Sequence, residues 1–139
     1  MLRMVMVLGA MICILSAFAC GGSSSTGPSS STGDGRIYLE NASTNAGRYK
    51  ADIQVSYFNE ILNEQVEMVV LPGEKKDISK VVLPKGTKVK LTLRGKAYVY
   101  SHQMDQEIEV TVDGDLIIRV NSYNWDNIGR PIDYVILKA

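Results

Sequence analysis

Between residues 49 and 57 the chain alternates without a break. Tyr49, Ala51, Ile53, Val55 and Tyr57 are apolar, and Lys50, Asp52, Gln54 and Ser56 stand between them. A period of two places each set on its own face of an extended strand, one buried and one wet. The pattern returns with Val89, Leu91 and Leu93 set among Lys88, Lys90 and Thr92, and again with Ile108, Val110 and Val112. Shorter apolar runs predict further strands near 37–39, 66–71, 97–100, 116–120 and 134–137.

Turn residues fall between these runs. Leu-Pro-Gly-Glu at 71–74, Leu-Pro-Lys-Gly at 83–86 and Val-Asp-Gly-Asp at 112–115 supply the fixed or positive φ that a reversal needs. Asp113-Gly114 reads as a hairpin turn, and Arg94-Gly95-Lys96 as another. Residues 57–68 are ambiguous, because Phe58, Ile61, Leu62 and Val66 have helical spacing. The long strand patterns on both sides favour a hairpin across Asn63-Glu64-Gln65. Eight or nine short strands at this spacing predict an all-β fold, an antiparallel β-sandwich, with a small β-barrel as the competing closure. The rhythm resembles that of immunoglobulin-like and fibronectin type III modules. Their Cys…Trp…Cys framework is missing, since residues 36–139 hold no cysteine.

The first twenty residues follow another rule. Arg3 is the only charge ahead of an uninterrupted apolar and small-residue run from Met4 to Ala19. That run is shorter than the roughly 20 residues a membrane-crossing helix needs, and no basic cluster follows it, so it reads as a secretory signal peptide. It ends in Ala17-Phe18-Ala19-Cys20. Ala19-Cys20 resembles the lipobox of bacterial lipoproteins, in which the cysteine is acylated on sulfur and becomes the mature N-terminus. The family's usual Leu three places before the cysteine is here Ala17, and Phe18 is bulky for its place. Ala17 and Ala19 also satisfy the A-x-A rule of ordinary signal cleavage. Acylation has a chemical argument of its own: Cys13 would leave with the signal, so Cys20 would otherwise be a lone thiol in an oxidising compartment.

Behind Cys20 stands GGSSSTGPSSSTGDG, whose one charge is Asp34. A tract of this composition has nothing to bury and reads as a tether of roughly 20 Å mean reach, about 50 Å when stretched. The predicted organisation is therefore a signal peptide at 1–19, a lipidated Cys20 with its linker at 20–35, and a β-sandwich domain at 36–139. The resemblance implies attachment to a bacterial membrane with the domain outside the cytoplasm. Gly21 after the cysteine resembles the outer-membrane sorting pattern where the envelope has two membranes.

Charge narrows the partners. The chain carries 15 basic and 15 acidic residues, which gives no footing for nucleic acid. His102 is the single histidine, too little for a zinc site, and no nucleophile motif accompanies it. No cofactor and no metal is expected. Asp113, Asp115, Asn124, Asp126 and Asn127 offer oxygen ligands for calcium but lack the order of a calcium loop. Asp105, Glu107 and Glu109 alternate with apolar residues and read as the solvated face of a strand. Tyr98 and Tyr100 share one face and read as packing residues, or, where exposed, as a flat binding strip.

The segment NSYNWDNIGRP, 121–131, breaks the alternation and holds the single tryptophan. Tyr123, Asn124, Trp125, Asp126 and Asn127 form the candidate binding loop, in which an exposed ring flanked by amides suits a sugar or a protein contact. The competing reading has Trp125 folded back to cap the core. The expected function is a non-catalytic, membrane-anchored module that binds an envelope protein or a glycan. The alternatives are an assembly subunit pairing through an edge strand such as 134–137, and, third, a small hydrolase. The mass of the mature N-terminal peptide checks the anchor: a peptide starting at acylated Cys20 is expected, and an unmodified Cys20 or an intact Met1 overturns it.

Overall fold

The computed structural model describes residues 33–43, 50–98 and 102–139, which lie within one unit spanning Thr32–Ala139. Its eight strands are β1 (Ile37–Asn41), β2 (Ala51–Asn59), β3 (Glu64–Val70), β4 (Lys75–Asp77), β5 (Lys88–Ala97), β6 (Gln103–Thr111), β7 (Leu116–Tyr123) and β8 (Ile132–Lys138). They form two four-stranded sheets, in the orders β4-β1-β7-β8 and β3-β2-β5-β6. The sheets pack face to face and do not close into a barrel, so the fold is a β-sandwich with no helix among the described residues.

Alternation decides which side chains fill the space between the sheets. From β1 come Ile37 and Leu39, from β2 Ala51, Ile53, Val55 and Tyr57, from β5 Val89, Leu91 and Leu93, and from β7 Leu116, Ile118 and Val120. Each fully buried Val, Leu or Ile stabilises the fold by roughly 1.5–3 kcal/mol. Polar groups complete the closure at one end. Asn41 follows the inward parity of β1, and its Nδ2 donates to the carbonyls of Ala51 and Val70 in the opposite sheet, both at 2.8 Å. A buried amide with both protons used in this way contributes direction as well as energy.

All neighbouring strands run antiparallel except β1 and β7, which are parallel from Ile37↔Leu116 to Asn41↔Val120. This follows from the turn at Asp113-Gly114. Gly114 takes a φ of 82°, as the sequence predicts for a turn. The flanking strands nevertheless do not pair as a hairpin. Val112 stays with the β5 side, its N–H donating to Thr87 O and its carbonyl accepting from Gly86. Leu116 N then donates to Arg36 O, and Asp115 Oδ1 accepts from Arg36 N at 2.7 Å, which carries the chain across to β1. The turn is thus a passage between sheets.

Residues 57–68 form the expected hairpin, with the turn at residues 60–63 and not at 63–65. Asn59 Oδ1 accepts from the amides of Ile61 and Leu62, and Asn63 supplies the left-handed residue at φ 54°. The expected turn at Arg94-Gly95-Lys96 is absent: β5 continues through it to Ala97, so no separate strand begins there. The reason is packing. Tyr123, fully buried in β7, lays its ring over Gly95, where an added Cβ would stand 2.3 Å from Cδ2. Glycine here makes room for a side chain and keeps an ordinary strand conformation. Gly95→Ala is expected to destabilise the fold by about 1–3 kcal/mol through overpacking, read from the denaturant midpoint.

Candidate functional site

The β2–β5 ladder runs from Ala51↔Ala97 to Ser56↔Thr92 and stops. On its outer side β2 continues to pair with β3 as far as Asn59↔Glu64, and β5 pairs with β6 back to Lys88↔Thr111. The two hairpins therefore splay at one end of the sheet. The fork encloses a cleft of about 530 Å³, with Tyr57–Ile61 along one wall, Thr87–Lys90 along the other and Leu83 and Pro84 among its lining.

Each side of the fork is tied to something other than its neighbour. Tyr57 and Asn59 have inward parity. The Tyr57 hydroxyl donates to Ile78 O at 2.7 Å, and Asn59 Nδ2 to Ser79 O at 3.0 Å. Ile78 and Ser79 are in turn bound to β1: Ile78 N donates to Ile37 O, and Ser79 Oγ accepts from Ile37 N. On the other side Leu83 exchanges two backbone hydrogen bonds with Gly35, and Thr87 holds Val112. Both walls are thus hydrogen-bonded to partners other than each other.

Phe58 and Ile61 stand beside this opening 53% and 51% exposed. Two large apolar side chains left in water next to a concave surface are informative in a way that one scattered residue is not. Lys88, Lys90, Glu60 and Glu109 complete the lining, two positive and two negative groups, so the cleft has no net preference for an ion. Burial pushes the Tyr57 phenol up, against the easing effect of the Asn59 amide.

Asp77 anchors the segment that holds the first wall. Partial burial works to raise its carboxyl. The Ser79 hydroxyl, Arg36 and the amides of Ser79 and Lys80 all donate to it, and together they hold it below the ordinary carboxylate value.

The candidate loop between β7 and β8 has a mixed composition. Tyr123 is a core residue and contributes no surface. Burial pushes its phenol up, and among the described residues the hydroxyl has no hydrogen bond of normal geometry. Trp125 is half-buried and packs against the core, the capping arrangement, with its ring meeting that of His102 edge to face at 5.7 Å. Asn124 and Asn127 turn their side-chain oxygens onto the loop itself, accepting from the amides of Asp126 and Arg130. Asp126, Asn127 and Ile128 are exposed.

His102 is exposed at the start of β6. Asp113 pairs with Lys138 and Lys85, and Asp115 is taken by Arg36 N; among the described residues no three acidic, histidine or cysteine side chains gather around one point. Tyr98 departs from its expected packing role. The strand ends at Ala97, leaving Tyr98 52% exposed with its hydroxyl on Asp52 and Lys50 over its ring. Tyr100, Cys20 and the linker lie outside the described residues.

Phe58 and Ile61 belong to the stretch whose spacing is ambiguous in sequence. One signal does mark Phe58: it occupies the wet-face parity set by Asp52, Gln54 and Ser56, where an aromatic has no structural reason to stand. No family model, curated protein or solved structure matches the chain.

The depressed Asp77 gives a pH test. Its folded pKa lies below the unfolded one, so its contribution is complete above the unfolded value and is lost as pH falls through the folded value. The stability gap between the wild type and Asp77→Asn is expected to shrink below about pH 4. Urea midpoints across pH 7 to 2 measure it, and a constant gap contradicts the assignment.

Proposed function

We propose that residues 36–139 are a non-catalytic binding module, carried on the 20–35 tether from a lipid-anchored Cys20 in a bacterial envelope, that takes a polypeptide segment into the fork between β2 and β5. The observation that carries this reading is the fork itself. Where the pairing stops, the backbone donors and acceptors of Phe58 on β2 and of Lys88 and Lys90 on β5 face the open cleft, and an extended peptide satisfies such groups by pairing with them. Phe58 and Ile61 give that peptide an apolar contact at the mouth. At about 530 Å³ the cleft lies within the range of small-ligand sites and suits a short segment, not a whole domain.

Several placements support a module without chemistry of its own. The single histidine stands exposed against Trp125, and the acidic side chains near the turns are spent on lysine, arginine and backbone partners. Partial closure of Trp125 onto the core makes the 124–131 loop the weaker place for a glycan to stack.

An assembly subunit is the second reading. β8 is an edge strand paired only with β7, and its Val135 and Ile136 are 41% and 43% exposed.

Phe58→Asp and Ile61→Asp separate the fork from the rest of the surface. Binding of the full chain to an array of extended peptides carrying one aromatic or aliphatic anchor is expected to weaken at least tenfold, about 1.4 kcal/mol, in either variant. Stability should stay within roughly 0.5 kcal/mol, because both side chains are already in water. A signal confined to a glycan array moves the reading to sugars, and silence on both arrays ends it.

A further inference from the structure

We infer that β8 is a dimerisation edge, and that its occupant is β8 of a second copy running antiparallel, in a register centred on Ile136. This deepens the second reading above by naming the partner.

The sandwich has four edge strands, and three carry protection against pairing. β4 is only three residues long and contributes Lys75 and Lys76. β6 presents Asp105, Glu107 and Glu109. β3 carries Glu64 and Glu67, and its Val69 carbonyl is occupied by Lys76 Nζ at 2.7 Å. Short length, charge and covered backbone are the devices that keep edges apart. β8 differs. Its centre is Tyr134-Val135-Ile136-Leu137, four residues without a charge.

The backbone of β8 says which groups are available. Pro131 O accepts from Asn124 N, and Ala139 N donates to Asp115 O, so the odd-numbered residues direct their polar groups toward β7. The even-numbered residues Ile132, Tyr134, Ile136 and Lys138 direct theirs away from it. Ile132 N is already taken: it donates to Gln106 Oε1 of the opposite sheet at 2.9 Å. Gln106 thus closes one end of the edge and leaves Tyr134, Ile136 and Lys138.

That set is symmetric about its middle member, which argues for a second copy over an unrelated strand. With Ile136 opposite Ile136 of the second copy, Tyr134 falls opposite Lys138 and Lys138 opposite Tyr134. Every free N–H and C=O along the three residues then has a partner. A register centred on Tyr134 or Val135 instead requires the Ile132 amide that Gln106 holds, and one centred on Leu137 or Lys138 sets fewer of the three available positions against one another. The side chains agree with the central register. The half-exposed Ile136 side chains meet each other, and Val135 meets Leu137 of the second copy on the outer face. Neither Asp133 nor Lys138 faces its like, so the pairing carries no repulsion. The result is one continuous sheet of eight strands, an isologous two-fold contact.

Ile136→Pro tests this without attacking the monomer, since the Ile136 N–H points away from β7 and proline is tolerated at such edge positions. The full chain in detergent is expected to show a concentration-dependent dimer by sedimentation. In Ile136→Pro the dimer should weaken at least tenfold with the circular dichroism unchanged. If that variant does not fold, cysteine replacement decides: Ile136→Cys should form a disulfide-linked dimer, because a hydrogen-bonded pair sets the Cα atoms about 5.5 Å apart. Val135→Cys, opposite Leu137, should not. A wild-type monomer at every concentration, a dimer indifferent to Ile136→Pro, or equal crosslinking by the two cysteines overturns the proposal. A monomer that a photo-crosslinking residue at 136 joins to a different envelope protein removes the second copy and leaves edge pairing standing; a monomer crosslinked to nothing removes both.

Discussion

The ring of Tyr123 over Gly95 is the contact on which the arrangement of the two sheets depends. Tyr123 is buried completely between the two sheets because Gly95 leaves vacant the space its ring occupies, where a Cβ would collide with it. Its presence fixes β5 as one long strand and sets β7 against it. Asn41 performs the complementary task at the end of β1, where its amide reaches across the sandwich to the carbonyls of β2 and β3.

The same economy that closes the core opens the fork. Tyr57 and Asn59 turn inward to bind residues 78 and 79, which belong to the crossing between the sheets and not to β5. The end of β2 is therefore held by the first sheet while the beginning of β5 is held by the loop at Leu83 and by β6. Binding surfaces that are held open by rigid partners avoid the ordering cost that a mobile loop incurs when it meets its ligand. The candidate loop at 124–131 is less favourable in that respect: Tyr123 and Trp125 are committed to packing, and its amides are committed to closing the loop.

Alternation made the strands legible, because half-buried strands impose a period of two on any sequence that forms them. The faces of Ile53, Leu91 and Ile118 follow from it directly. What local pattern cannot carry is the destination of a strand after a turn. Asp113-Gly114 has the chemistry of a hairpin and takes the backbone expected of it, yet Val112 and Leu116 part to different sheets because of partners 25 and more residues distant in sequence. Arg94-Gly95-Lys96 misleads for a related reason: glycine signals a bend when its backbone freedom is what matters, and here the missing side chain matters. The fork was illegible as a site because it exists only where pairing ends, and no residue type marks that place. Phe58, apolar on the wet parity of its strand, is the one trace it leaves.

The parallel pairing of β1 with β7 bears on how the chain reaches its native state. Arg36 meets Asp115 and Glu40 meets Arg119 across 79 residues in each case, and β1 sits between β4 and β7, inside its sheet. The hairpins β2–β3, β5–β6 and β7–β8 can each close locally. The first strand made is among the last to find its place, and the first sheet has no interior until β7 exists. Contacts of such separation place folding in the slow range of milliseconds to seconds, and in a chain emerging from its N-terminus the first sheet stays incomplete until Leu116–Tyr123 has appeared.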